Sequence, residues 1–148
     1  MKKRFGFVSN SSSTSFIVIC DDESTLDFSV LDQYKDIGAI YIGAYGGESE
    51  FGWEFKQWND FASKLNWTIL QIRDSFDLGE QVELLQMVYE VLTEHFDGKI
   101  YDRLNGYIDH QSCVRENPRN GEILESKEKL RSFLFNPKSF IQGGNDNV

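Results

Sequence analysis

Apolar residues recur along the chain with two spacings, short unbroken runs and a 3–4 rhythm, and each predicts a different element. Phe5-Gly6-Phe7-Val8 and Phe16-Ile17-Val18-Ile19 are aromatic and β-branched runs on either side of a polar stretch, which predicts two short strands. Residues 26–34 fit a strand or a helix equally. The strongest strand signal covers residues 37–44 and ends at the Gly46-Gly47 breaker. Next, Phe51, Phe55, Trp58, Ala62, Leu65, Ile69, Ile72 and Phe76 alternate steps of four and three, which keeps one apolar stripe on one face of a helix. That spacing predicts a helix over residues 54–75. Leu84, Leu85, Val88, Val91, Leu92 and Phe96 predict a second helix over residues 80–96, ended by Asp97-Gly98.

The last third is more broken. Residues 99–103 and 107–114 read as strands, and Asn117-Pro118-Arg119-Asn120-Gly121 as a turn of the Asn-Gly kind. Ser126 suits the N-cap of a short helix with Leu130, Phe133 and Leu134 facing inward, stopped by Asn136-Pro137. Residues 139–142 suit a final strand, and residues 143–148 a polar tail. With 148 residues, no repeat and no linker, the expectation is one α+β domain. Its sheet is expected to be mainly antiparallel, with residues 37–44 at the centre and the two main helices packed on one face.

Charge narrows the functional classes. The net charge is −9, and the excess is concentrated: residues 21–97 hold 17 carboxylates against 4 basic groups. A protein with this balance lacks the basic footprint of a nucleic-acid binder. Cys20 and Cys113 are too few for a disulfide scaffold and read as small buried hydrophobes. The start, Met1-Lys2-Lys3-Arg4, imitates a signal peptide, but Ser9 to Ser15 interrupt any apolar core segment, and no stretch approaches the ~20 apolar residues of a membrane helix. The expected location is the cytoplasm.

Five places carry candidate chemistry or charge. The hydroxyls of Ser11, Ser12 and Ser13, close in sequence to Lys2, Lys3 and Arg4, suit an anion, although this loop has neither the glycine nor the lysine of a phosphate-binding loop; the competing reading is a polar loop capping its own backbone. Asp109, His110 and Ser112 bring a carboxylate, an imidazole and a hydroxyl together, with Cys113 and Asp146 as further candidates for a metal or acid–base site. Adjacent residues on a strand point to opposite faces, so Asp109 and His110 act together only if the backbone turns. His95, at the end of the second helix, suits a dipole-stabilised cation. Trp53, beside Glu48, Glu50 and Glu54, suits an interface anchor. Asp21, Asp22 and Glu23 form a second acidic cluster.

Phe7-Val8-Ser9-Asn10-Ser11-Ser12-Ser13-Thr14-Ser15-Phe16 resembles the FVSNSSSSSF-type N-terminal signature of small bacteriophage and mobile-element proteins. The resemblance covers ten residues and implies a genomic setting rather than a reaction, so no residue role follows from it. Taken with the charge, it leads to the expectation of a cofactor-free protein that binds a host macromolecule and blocks or redirects it through Asp21, Asp22, Glu23, Glu48, Glu50, Trp53 and Glu54. The expected partner is a host protein, such as a nucleic-acid-handling or defence protein whose basic groove the acidic surface mimics, rather than nucleic acid or a membrane. Two alternatives stay open. One is a nucleotide- or phosphate-handling enzyme built on the Ser-rich loop and Asp109/His110. The other is a structural or assembly protein of a virion. The oligomeric state is open as well.

Overall fold

The computed structural model describes residues 15–44, 46–52 and 55–144. In chain order the elements are β1 (Phe16–Val18), 3-10 turns at Glu23–Thr25 and Phe28–Leu31, α1 (Asp32–Lys35), β2 (Ala39–Ile42), β3 (Glu50–Phe51), β4 (Gln57–Trp58), α2 (Phe61–Ser75) and α3 (Leu78–Thr93). Then follow β5 (Lys99–Asp102), β6 (Tyr107–Ile108), 3-10 segments at His110–Ser112 and Pro118–Leu124, α4 (Lys127–Phe135) and β7 (Phe140–Gln142). The chain is a single α+β domain.

Asp60 sets where the principal helix begins. Its carboxylate accepts the Ser63 amide at 2.9 Å, a side-chain N-cap, so α2 starts at Phe61 rather than near residue 54. The residues before it pair with β7 instead, Trp58 opposite Ile141. Phe55 therefore leaves the predicted stripe and is 74% exposed, while Trp58, Leu65, Ile69 and Ile72 are buried as the spacing predicts. Asp77 caps α3 with a reciprocal capping box: it accepts the Glu80 amide, and the Glu80 carboxylate accepts the Asp77 amide. Ser126 caps α4 through the Lys129 amide, as expected.

The strand arrangement departs from the expected central sheet. The β-structure is small and mixed: an antiparallel trio in the order β1-β7-β4, and two parallel pairs, β2 with β5 and β3 with β6. The strand at residues 39–42 thus belongs to a two-stranded parallel pair and not to the middle of an antiparallel sheet. A parallel pair needs a long crossover, and here α2 and α3 lie within it. Gly38 and Gly43, at φ 75° and 86°, bound β2 at both ends, because a left-handed φ leaves strand geometry; a Cβ on Gly43 would lie 2.6 Å from the Leu104 backbone, so only glycine fits there.

With the strands in small groups, α2 takes the centre. It contacts α3, α4, β2 and β6, and Phe61, Leu65, Trp67, Ile69, Leu70 and Ile72 are all buried. Its polar positions from Ser63 to Gln71 are buried too, and each is bonded. Lys64 Nζ donates to the carbonyls of Asn136 (2.9 Å) and Ser139 (3.1 Å), and Asn66 donates to the Glu48 carbonyl. Gln71 donates to the Ser112 carbonyl and accepts the Val114 amide. The polar face of this helix clamps loops rather than meeting water. The segment predicted as a tail also contributes: Gly143 exchanges two backbone hydrogen bonds with Lys56, and Gly143 and Gly144 are buried. Residues 145–148 and the predicted strand at residues 5–8 lie outside the described residues.

Candidate binding surface

Chain segments far apart in sequence meet around an acidic groove of about 340 Å³, lined by Ile19, Asp21, Glu23, Glu122, Ser126, Glu128, Lys129 and Ser132. One wall comes from the chain just after β1. It is pinned by Asn136, whose side-chain amide donates to the carbonyls of Cys20 (3.0 Å) and Asp22 (3.1 Å), and by the Cys20 amide, which donates to Ser139 Oγ (2.8 Å). The other wall is the end of the Pro118–Leu124 segment and the first turn of α4, which Ser126 caps.

Four carboxylates line this groove against one ammonium. Lys129 Nζ is 2.8 Å from Glu125 and 3.4 Å from Glu122, so it is already partnered, and Glu125 holds its pKa above the ordinary lysine value. Asp22 belongs to the predicted cluster but serves the backbone: its carboxylate accepts the amide and hydroxyl of Ser24, which lower its pKa. Asp21 and Glu23 are the two members that face the groove. Glu122 and Glu128 were missed by sequence reasoning because residues 98–148 carry a net charge of only +1. The three-residue spacing of Glu122, Glu125 and Glu128 was the available signal.

The predicted acidic cluster around Trp53 opens elsewhere. Glu48 lines a separate cleft with Lys56, Gln57, Asp60 and Ser63. Its carboxylate accepts the Glu50 amide at 3.2 Å and its own amide donates to Ser63 Oγ at 2.7 Å. Glu50 is exposed on β3. Trp53 and Glu54 lie outside the described residues, as do Ser11, Ser12, Ser13 and Asp146.

Asp109, His110 and Ser112 separate into two environments. Asp109 and Ser112 are buried and bonded, the Ser112 hydroxyl donating to Asp109 Oδ1 at 2.5 Å. Burial raises the Asp109 pKa, and the bond from Ser112 only partly offsets it. His110 is exposed and pairs with Glu116 at 3.0 Å. It lines a small cleft with Asp74, Tyr107, Ile108, Cys113 and Arg115 that neither Asp109 nor Ser112 reaches. The buried pair belongs to a structural network. Ser112 Oγ accepts the Ser15 amide at 2.8 Å, and Asn120 donates to the carbonyls of Ser15 and Ser112 while accepting the Ile17 amide.

Both cysteines are free; Cys113 is buried, and burial raises its thiol pKa. His95 stacks on Phe28, ring centroids 3.7 Å apart, just past the end of α3. Among the described residues no group of three or more His, Cys, Asp or Glu side chains is arranged to hold a metal, and no helix is long and apolar enough to cross a membrane. Comparison with protein-family models, with curated proteins and with solved structures finds no match to the chain.

Proposed function

We propose that the protein is a cytoplasmic binding protein that docks through its acidic surface on a basic face of a host protein and blocks or redirects it. The observation that carries this reading is the groove: Asp21, Glu23, Glu122 and Glu128 face one space whose single ammonium is already bonded. Surplus like charge in one place opposes folding, and a basic partner relieves it. Complementary charge of this kind raises association rates and favours basic over acidic partners. The likeness of residues 7–16 to a phage and mobile-element signature supports a host protein as the target.

The test is capture from a lysate of the host by the full-length protein, side by side with a Glu23→Lys/Glu128→Lys variant of unchanged circular dichroism. The proposal expects a partner with a basic surface, retained by the parent protein and lost or much reduced with the variant. Equal capture by both proteins would contradict it.

A further inference from the structure

A cavity of about 450 Å³ opens between the start of α2, the end of α4 and the 3-10 turn before α1, and it shares no residue with the acidic groove. Apart from Lys64, its buried lining is apolar and includes Phe61, Leu134 and Phe135. Asp27, Gln33, Asn59 and Asp60 line it as exposed residues, so an apolar interior meets a polar mouth. The walls are tied together: the Asp27 amide donates to the Phe135 carbonyl at 2.8 Å, Asn59 Nδ2 to the Pro137 carbonyl at 3.4 Å, and Lys64 Nζ to the carbonyls of Asn136 and Ser139. A preformed apolar recess of this size with a few convergent polar groups is the usual form of a small-molecule site.

The charges in the lining select the ligand. Asp27 uses Oδ1 to accept the amide and hydroxyl of Ser29, and Asp60 uses Oδ2 to accept the Ser63 amide. Among the described residues nothing bonds the second oxygen of either carboxylate. Lys64 is the one cation of the lining; its ammonium is spent on the two carbonyls and offsets one carboxylate, so a net charge of −1 remains. That charge repels a phosphate or a carboxylate. Two carboxylates are too few to cage a divalent ion. A neutral apolar molecule would cover the interior and gain nothing from Asp27 and Asp60, whereas a cation on an apolar stem uses both halves of the cavity.

We infer that this cavity binds a small organic cation, a primary ammonium or guanidinium on a short apolar stem, with the stem against Phe61, Leu134 and Phe135 and the head at the unpaired oxygens of Asp27 and Asp60. The site is separate from the acidic groove and does not depend on the groove being a binding site.

The test uses isoamylamine, isoamyl alcohol and isovalerate, which share a branched stem and differ in the head. Titrated into isotope-labelled full-length protein, the amine should shift the amide resonances of Phe61, Ala62 and Phe135 and bind about ten-fold more tightly than the alcohol. Isovalerate should not bind. Asn caps a helix as well as Asp does, so Asp27→Asn/Asp60→Asn should keep its circular dichroism and bind the amine no better than the alcohol. Asp27→Asn alone, which leaves Asp60 beside Lys64, should lose part of the preference. Glu23→Lys/Glu128→Lys, in the groove, should bind the amine as the parent does. N-acetyl-lysine methylamide carries the same head on a peptide unit: tighter binding than the free amine assigns the cation to a partner's side chain, weaker binding to a free small molecule, and either supports the site. Equal affinity for amine and alcohol, an Asp27→Asn/Asp60→Asn variant that keeps the amine preference, or shifts confined to the groove would overturn the inference.

Discussion

The Ser15 amide donates to the Ser112 hydroxyl at 2.8 Å, across 97 residues of chain. Ser112 in turn donates to Asp109, so one buried hydroxyl joins the start of β1 to the segment after β6. Replacing Ser112 with Ala leaves a buried amide and a buried carboxylate oxygen unpaired, a cost on the order of 2–4 kcal/mol. Urea denaturation should show this as a lower midpoint with unchanged slope.

The same network predicts a pH dependence. Burial raises the Asp109 pKa in the folded protein above its unfolded value of about 3.9. The folded state therefore holds the proton longer, and the contribution of this group to stability is present in acid and lost as pH rises through the raised folded pKa. Relative to Asp109→Asn, the parent protein should lose stability from about pH 4 upward. Parallel urea titrations of the two proteins between pH 3 and pH 7 check this.

Lys64 acts in the opposite sense. Burial lowers its pKa to about 8, with Asp60 opposing. Between pH 8 and the unfolded value near 10.4 the unfolded chain holds a proton that the folded one has released, so stability rises with pH across that window. The shift corresponds to about 3 kcal/mol at most. A Lys64→Met variant should lose this rise, as well as the clamp on the carbonyls of Asn136 and Ser139. Thermal denaturation of both proteins from pH 7.5 to pH 10 reads the difference.

Two positions on the same apolar spacing should answer oppositely to truncation. Leu65 is 2% exposed inside α2, and Leu65→Ala should cost about 2–5 kcal/mol. Phe55 precedes the helix and is 74% exposed, so Phe55→Ala should stay within about 0.5 kcal/mol of the parent. Comparable losses at both positions in denaturant unfolding would contradict the placement of Phe55 outside the helix.

Local chemistry was legible in the sequence, and long-range pairing was not. The 3–4 spacing after Phe51 marked the core side of α2, and Ser126 marked the start of α4, because both signals lie within a few residues. The same spacing placed Phe55 in a helix, since periodicity does not register the competing pairing of Gln57 and Trp58 with β7. Lys64, Asn66 and Gln71 fall off the apolar stripe of α2, and nothing near them in sequence marks them as buried. They are buried because loops from residues 48, 112–114 and 136–139 supply their partners, which no window around α2 contains. Asp21 and Glu23 were visible as an acidic run, whereas their meeting with Glu122 and Glu128 depends on Asn136 pinning the chain at residues 20–22.

The central claim is that surplus carboxylates in the groove draw in a basic partner. Its most direct test is the association rate of the captured host protein, measured at ionic strengths from 0.05 to 0.5 M with the parent and with Glu23→Lys/Glu128→Lys. Screening shortens the Debye length from about 10 Å at 0.1 M toward a few ångström, so the parent rate should fall steeply with salt. The variant should associate slowly at low salt and respond little to its increase, with dissociation changed less than association. An association rate that ignores salt, or that is the same for parent and variant, would contradict the claim.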